Sequence, residues 1–224
     1  MGHDAAWHAK RREGIGGSDI AAIFGLSSWK KPLDIYRLKT GMEGPSNAGA
    51  AAARGSRLEG AVIKRFVLDS GMPVTDGHDF LRHHQWPRVR LQANTDGTIP
   101  GDDPGVFEAK TTTRHSRTAD TLYEDMIPIY YATQVQGYLA ATDYSWGVLA
   151  AMVGPAGHNE WDPHQCDLLA LRFERNDTAI QIIEEVVEEF WAHVDDRRPP
   201  RWTRHNLVQD LLQALRWTEV ERVL

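Results

Sequence analysis

The segment from Asn94 to Thr112, N-T-D-G-T-I-P-G-D-D-P-G-V-F-E-A-K-T-T, constrains this chain more than any other. Gly, Pro and Asp crowd its first part, and these residues turn the backbone. It ends in Val106-Phe107-Glu108-Ala109-Lys110, apolar and then alternating, which reads as a strand entering a core. Side chains along a strand point to opposite faces in turn. Glu108 and Lys110 therefore share one face, with Ala109 on the other. A hairpin returning from Thr95-Asp96-Gly97 brings a second carboxylate, Asp96, beside them. Two carboxylates and a lysine at one point suit a hard divalent ion, because oxygen ligands hold Mg²⁺ while the ion keeps waters and takes substrate phosphates. Lysine adds a positive charge or, with a depressed pKa, a proton acceptor. The chemistry indicated is metal-assisted hydrolysis of a phosphodiester. A Glu-x-Lys ion pair beside an Asp-Gly turn is also an ordinary surface feature, so the rest of the chain has to decide.

The balance of charge bears on what such a site would act on. The net charge is −6, which does not advertise a nucleic-acid binder. Residues 1–65, however, hold 11 Lys/Arg against 6 Asp/Glu, a balance of +5, so the remainder carries −11. Local basic surface matters more than the total for binding phosphate. The single cysteine, Cys166, excludes an internal disulfide and a multi-cysteine metal site. No apolar run is long enough to span a bilayer, and the N-terminus has no secretory pattern. The expected location is the cytoplasm, the host's if the chain is phage-encoded.

In chain order, 4–12 reads as a short helix. Gly14-Ile15-Gly16-Gly17-Ser18-Asp19 then leads into an apolar helix over 20–24, with Ser18 as N-cap and Gly25 as stop. A glycine-rich approach to a helix start leaves N–H groups free for an anion, and Arg11 can add a guanidinium fork. Further helices are expected over 32–39 and 54–68. Glu59 in the second points either outward or into the site. From Pro73 to Thr113 short strand-like pieces alternate with turns. His83-His84 there are poor joint ligands, since adjacent strand residues face opposite ways. A helix over 129–141 places Gln134 and Tyr138 on one face and Gln136 elsewhere. Two strands follow, 144–153 and 167–174, expected to pair antiparallel. The amphipathic helix 177–194 carries Glu184, Glu185, Glu188 and Glu189 on a face read as solvated. After Pro199-Pro200, the tail Asn206–Leu224 repeats leucine at helical spacing, as a docking or partner-binding element.

The order of these motifs resembles the YqaJ-like viral recombinase nucleases of the PD-(D/E)xK superfamily, the group that includes phage lambda exonuclease. Arg11 with Gly14–Asp19 is similar to that family's opening motif, and Gly55-Ser56-Arg57-Leu58-Glu59 to its helix motif. Thr95-Asp96-Gly97 and Phe107-Glu108-Ala109-Lys110-Thr111 are similar to its Asp and Glu-x-Lys pair. Gln134-Val135-Gln136-Gly137-Tyr138 matches its Gln-x-Gln and Gln-x-x-x-Tyr patterns, and Phe190-Trp191 with Arg198-Pro199-Pro200 its C-terminal signature. Thr95 departs from the Pro that many relatives carry there.

The resemblance implies an α/β (α+β) fold with a central mixed sheet flanked by helices. It implies one nuclease domain over 1–202 and a helical tail over 203–224. The implied activity is Mg²⁺-dependent hydrolysis of linear double-stranded DNA from the 5′ end, with Mn²⁺ as a substitute ion. The implied metal ligands are Asp96, Glu108, the Ala109 carbonyl and Glu59. Lys110 is implied to orient or deprotonate the attacking water, Gln134 to position Lys110 or the phosphate, and Tyr138 and Gln136 to support the site. Arg11 and Ser18 are implied to hold the 5′ phosphate. The resemblance also implies a ring-shaped homotrimer and a single-strand annealing protein as partner. Two other readings keep the fold: an endonuclease or RecB-like module of a larger machine, and a non-catalytic DNA-binding scaffold. The presence of Asp96, Glu108 and Lys110 together speaks against the scaffold.

Overall fold

A computed structural model describes residues 5–44, 49–157, 160–200 and 205–224. Its centre is β6, Trp146–Gly154, in which every residue is buried. An uninterrupted run of apolar and small residues is what a strand covered on both faces requires. β6 pairs in parallel with β5, Gly105–Thr113, and antiparallel with β7, Asp167–Glu174. β4, Gly97–Ile99, pairs antiparallel with the start of β5, giving the mixed order β4-β5-β6-β7-β8 with β8 at Val220–Arg222.

Alternation along β5 decides which helix lies on which side. Phe107 faces α4, Ala50–Ser70, whose stripe of Leu58, Val62 and Phe66 packs with Val148, Ala150 and Met152. Val106 faces the opposite core, where α6, Ile129–Thr142, packs with α2, Gly17–Ile23, and α7, Asp177–Asp195. Glu108 and Lys110 follow Val106 in parity, so they point toward α6. A second, three-stranded sheet sets β1, Ile15–Gly16, parallel to β3, Leu91–Ala93, with β2, Leu81–Arg82, antiparallel on its far side. Two further helices, α1 (Ala5–Arg12) and α3 (Pro32–Lys39), flank α2, and α5 (Arg117–Tyr123) follows β5.

Three sequence expectations change. Ser18 is not the N-cap of α2. The helix starts at Gly17, Gly16 is the cap, and Asp19 Oδ2 accepts the Gly16 N–H at 3.3 Å. The Asp19 carboxylate supplies the N3-to-cap half of a capping box, and the helix start falls ahead of Ser18, which becomes its second residue. The acidic face of α7 is not simply solvated, because Glu184 accepts from buried His83 at 3.0 Å and Glu188 pairs with Arg88. The first of the strand-like pieces expected from Pro73 onward is reduced to one bridge, Thr75 to Thr98.

The tail is built into the same structure. α8, His205–Arg216, buries Leu211 and Leu215 in the α6–α7 core, and β8 extends the sheet beside β7. Asn176 ties the two together by donating to the Ala214 and Thr218 oxygens. The leucines read as a possible partner-binding stripe are thus largely occupied by the chain itself. Among the described residues no helix is long and apolar enough to cross a membrane.

Candidate active site

The register of the β4–β5 hairpin brings the carboxylates together. Gly97 pairs with Phe107, so the next position back, Asp96, falls opposite Glu108. β4 pairing ends there, and the edge of β5 beyond Phe107 is left open. Asp96 Oδ2 occupies the first open position, accepting the Ala109 N–H at 2.8 Å. The N–H and C=O of one strand residue leave on the same side, so the Ala109 carbonyl also looks onto this edge. A cavity of about 700 Å³ opens over it. Asp96, Ala109 and Lys110 line this cavity together with Glu59 from α4, Ser18 from α2 and Gln134 from α6. Glu59 therefore points into the site and not outward.

Glu108 is the most buried of the acidic groups in the site, 2% exposed. Its Oε1 accepts from Lys110 Nζ and, at 2.6 Å, from Gln134 Nε2. The second Gln134 N–H goes to the Tyr138 hydroxyl at 2.7 Å. Glu108 Oε2 is buried with no hydrogen-bond partner among the described residues. Burial first, and the charge of Asp96 next, push the Glu108 carboxyl up to about 8, against the pull of Lys110. Burial likewise raises Glu59, with Asp96 adding to it. Burial by itself pushes the Lys110 ammonium down, but Glu108 and then Asp96 outweigh it and hold the group above the usual lysine range. Lys110 is thus a cation here, which suits charge stabilisation better than proton abstraction. The Tyr131 ring lies 5.1 Å from its Nζ.

The donor chemistry fits a hard cation. Two carboxylates repel each other, a third faces the same cavity, a backbone carbonyl joins them, and one buried carboxylate oxygen has no partner. Among the described residues no group of three or more His, Cys, Asp and Glu side chains stands ready around one point. Glu59 shares the cavity with Asp96 but does not converge with Asp96 and Glu108 into such a group.

The structure places the other expected residues as follows. Gln134 bonds to Glu108 and not to Lys110. Gln136 stands away from the carboxylates, with its amide clamping the Glu174 carbonyl and the Asn176 N–H, so it seats α6 against the β7–α7 turn. Arg11 donates to Ser18 Oγ at 2.9 Å and to Asp19 Oδ1 at 3.2 Å. Sequence reasoning did not single out the group behind them. Asp19 is fully buried, and Lys39 Nζ, also fully buried, donates to it at 2.8 Å and to the Arg11 carbonyl at 2.9 Å. Burial pushes the Asp19 carboxyl up, but Lys39 and then Arg11 reverse this and leave it well below the usual carboxylate range. The side-chain bond from Asp19 to its helix cap follows capping-box spacing and was detectable. Nothing local marked Lys39, 20 residues away.

Gly17 allows α2 to press on the site. A Cβ there would stand 2.5 Å from the Tyr138 ring and 3.1 Å from Gln134 Cγ. The glycine at this position serves close helix approach, beyond any freedom it gives the loop.

Comparison with known proteins gives the family and the fold. Residues 6–145 match the model of the YqaJ-like viral recombinase domain. The chain is 34% identical over 188 residues to the uncharacterized protein YqaJ of Bacillus subtilis (strain 168), covering 83% of this chain and 54% of that protein's length. The fold is similar to that of an alkaline exonuclease, LHK-Exo, from Laribacter hongkongensis. The TM-score is 0.68 at 22% identity, over 87% of this chain and 94% of the other, and a second structure of that enzyme holds dAMP. A phage-related exonuclease from Haemophilus somnus 129PT is similar at a TM-score of 0.56 and 13% identity, over 82% and 94% of the two chains. With the family model covering more than half of the sequence, the chain belongs to the YqaJ-like viral recombinase family.

Proposed function

We propose that this chain is a divalent-metal-dependent deoxyribonuclease that degrades linear double-stranded DNA from the 5′ end and leaves 3′ single-stranded overhangs. One observation carries the reading. Glu108 Oε2 is a buried carboxylate oxygen with no hydrogen-bond partner among the described residues, and Asp96 and Lys110, whose charges act on Glu108, line the adjoining cavity with Glu59. Asp96, Glu108, the Ala109 carbonyl and Glu59 are the residues to hold Mg²⁺, or Mn²⁺ in its place. The bound ion supplies Lewis-acid charge toward a phosphodiester.

The protein groups divide the remaining work. Lys110 places a positive charge where negative charge develops on the phosphoryl oxygens and orients the attacking water. Gln134 fixes the Glu108 carboxylate by its hydrogen bond and is itself held by Tyr138. Arg11 and Ser18 are assigned to a terminal 5′ phosphate. In support, Lys39 already neutralises one Asp19 oxygen, which leaves guanidinium capacity on Arg11, and Ser18 lines the cavity. The structural neighbours are exonucleases, one of them solved with dAMP, which is consistent with a nucleotide in such a cavity. A homotrimer and a single-strand annealing partner belong to this reading on family membership alone. The mass of the protein in solution and its co-purification with such a protein are the tests.

The deciding experiment offers linear duplex DNA with 5′-phosphate or 5′-hydroxyl ends, and closed circles, with Mg²⁺ or with chelator. Metal-dependent loss of the linear 5′-phosphate substrate with circles spared supports the reading. Arg11→Ala should then reduce the preference for the phosphorylated end. Cut circles point to an endonuclease, and tight binding without digestion points to a scaffold.

A further inference from the structure

Arg54 stands in the first half of α4 and is only 8% exposed. Its Nε is buried with no hydrogen-bond partner among the described residues. Its guanidinium carbon lies over the Trp161 ring, 4.4 Å from the centroid, and no carboxylate pairs with it among those residues. A buried cation without an anion is costly, and an indole face returns only part of that cost. An arginine in such a place has donor capacity that an anion from outside can take up. The side from which one can arrive is the active-site cavity, whose wall Arg54 forms together with Gly55, Thr111, Thr113 and Ser116.

We infer that Arg54 is a second phosphate-binding site, distinct from the groups around Glu108 and from Arg11–Ser18, and that it holds a backbone phosphate of the DNA strand lying in the cavity. The inference rests on the nuclease reading above and adds a contact to it. The guanidinium fork matches two phosphate oxygens, and stacking on Trp161 leaves its edge free to donate. Placement follows from the helix. Arg54 precedes Glu59 by five positions, about 7.5 Å along the axis at 1.5 Å per residue. Duplex phosphates advance about 3.4 Å per nucleotide along each strand. Arg54 therefore reaches a phosphate one or two nucleotides from the one at the carboxylates. Thr111 marks the direction, because a Cβ on Gly55 would lie 3.8 Å from Thr111 Oγ1, one residue beyond Lys110 on β5.

The test uses the full chain with chelator present, so that DNA is bound but not cut. Duplex oligonucleotides carry one neutral methylphosphonate, moved one position at a time from the 5′ end. Wild type should lose affinity at several positions. Arg54→Gln should bind the unmodified duplex about 10- to 100-fold more weakly and lower the salt slope by about one. It should also be indifferent to the methylphosphonate at one position only. Arg54→Lys, which keeps the charge and loses the fork, should recover part of the affinity. It also replaces Arg54→Gln in the scan if that variant does not fold. If Arg54 merely packs on Trp161, the variants melt lower while the methylphosphonate profile and the salt slope stay as in wild type, and the inference is overturned. Digestion by wild type with an unchanged profile removes only the Arg54 site. A wild type that neither binds nor digests DNA removes the nuclease reading and the site with it.

Discussion

Gln134 Nε2 donates to Glu108 Oε1 at 2.6 Å, from α6 onto β5 across 26 residues of sequence. The bond fixes the rotamer of a carboxylate whose other oxygen faces no protein partner among the described residues. Gln134→Ala should reduce turnover about 10- to 100-fold, the equivalent of a hydrogen bond to a charged group at roughly 1.5–3 kcal/mol. The change should appear in kcat at saturating DNA. An equal rise in KM with kcat unchanged would assign Gln134 to substrate binding instead.

Lys110 pairs with Glu108 and retains 18% side-chain exposure to the cavity. Lys110→Ala should lower single-turnover cleavage by about 10²- to 10³-fold or more, as loss of a group that stabilises developing charge does. DNA affinity measured in chelator should stay near that of wild type. Similar cleavage rates in the two proteins would take Lys110 out of the chemistry.

Glu108 gives the metal-free protein a pH dependence of definite sign. Its folded pKa is raised from 4.5 to about 8 by burial and then by Asp96. A raised carboxylate contributes stability that is fully present below the unfolded pKa and is lost as pH rises through the folded one. In chelator, the melting temperature of wild type should therefore decline as pH rises from about 5 to 9, and Glu108→Gln should flatten that decline. Parallel curves for the two proteins over this window would show that Glu108 does not titrate there.

Asp19 works in the opposite direction. Its folded pKa lies below the unfolded 3.8, so its contribution is present above that value and disappears as pH falls. Lys39→Met leaves the Asp19 carboxylate buried with Arg11 alone and should cost about 3–5 kcal/mol. For a chain of this size that is a fall of roughly 6–20 °C in melting temperature. Adding Asp19→Asn to Lys39→Met should recover much of the loss, because it removes the stranded charge. A double variant no more stable than Lys39→Met would argue that the ammonium matters through the Arg11 carbonyl.

Much of this protein is set by local pattern. Period-3.6 stripes determine α4 and α7, and the apolar run from Trp146 determines β6. Period-2 alternation on β5 puts Glu108 and Lys110 on one face before any partner is known. The Gly- and Pro-punctuated turn over 100–104 makes the β4–β5 hairpin readable as well, and with it the approach of Asp96. These features depend on neighbours within a few residues, and sequence spacing records such neighbours directly.

Tertiary structure decided the rest. That Gln134 bonds Glu108 and not Lys110, that Glu59 turns inward, that Lys39 neutralises Asp19, and that Glu184 meets His83 all depend on how separate elements pack. The chain from Val220 to Arg222 becomes a strand because the free edge of β7 is beside it, not because of its own composition. Arg54 reads in sequence as one more exposed helix cation. It becomes a buried charge, with no ion-pair partner among the described residues, only when Trp161, more than a hundred residues on, covers it. Local periodicity specifies which face of an element is apolar. It does not specify which polar group from a distant element will meet that face, because that choice is made by the topology and register of the packed sheet.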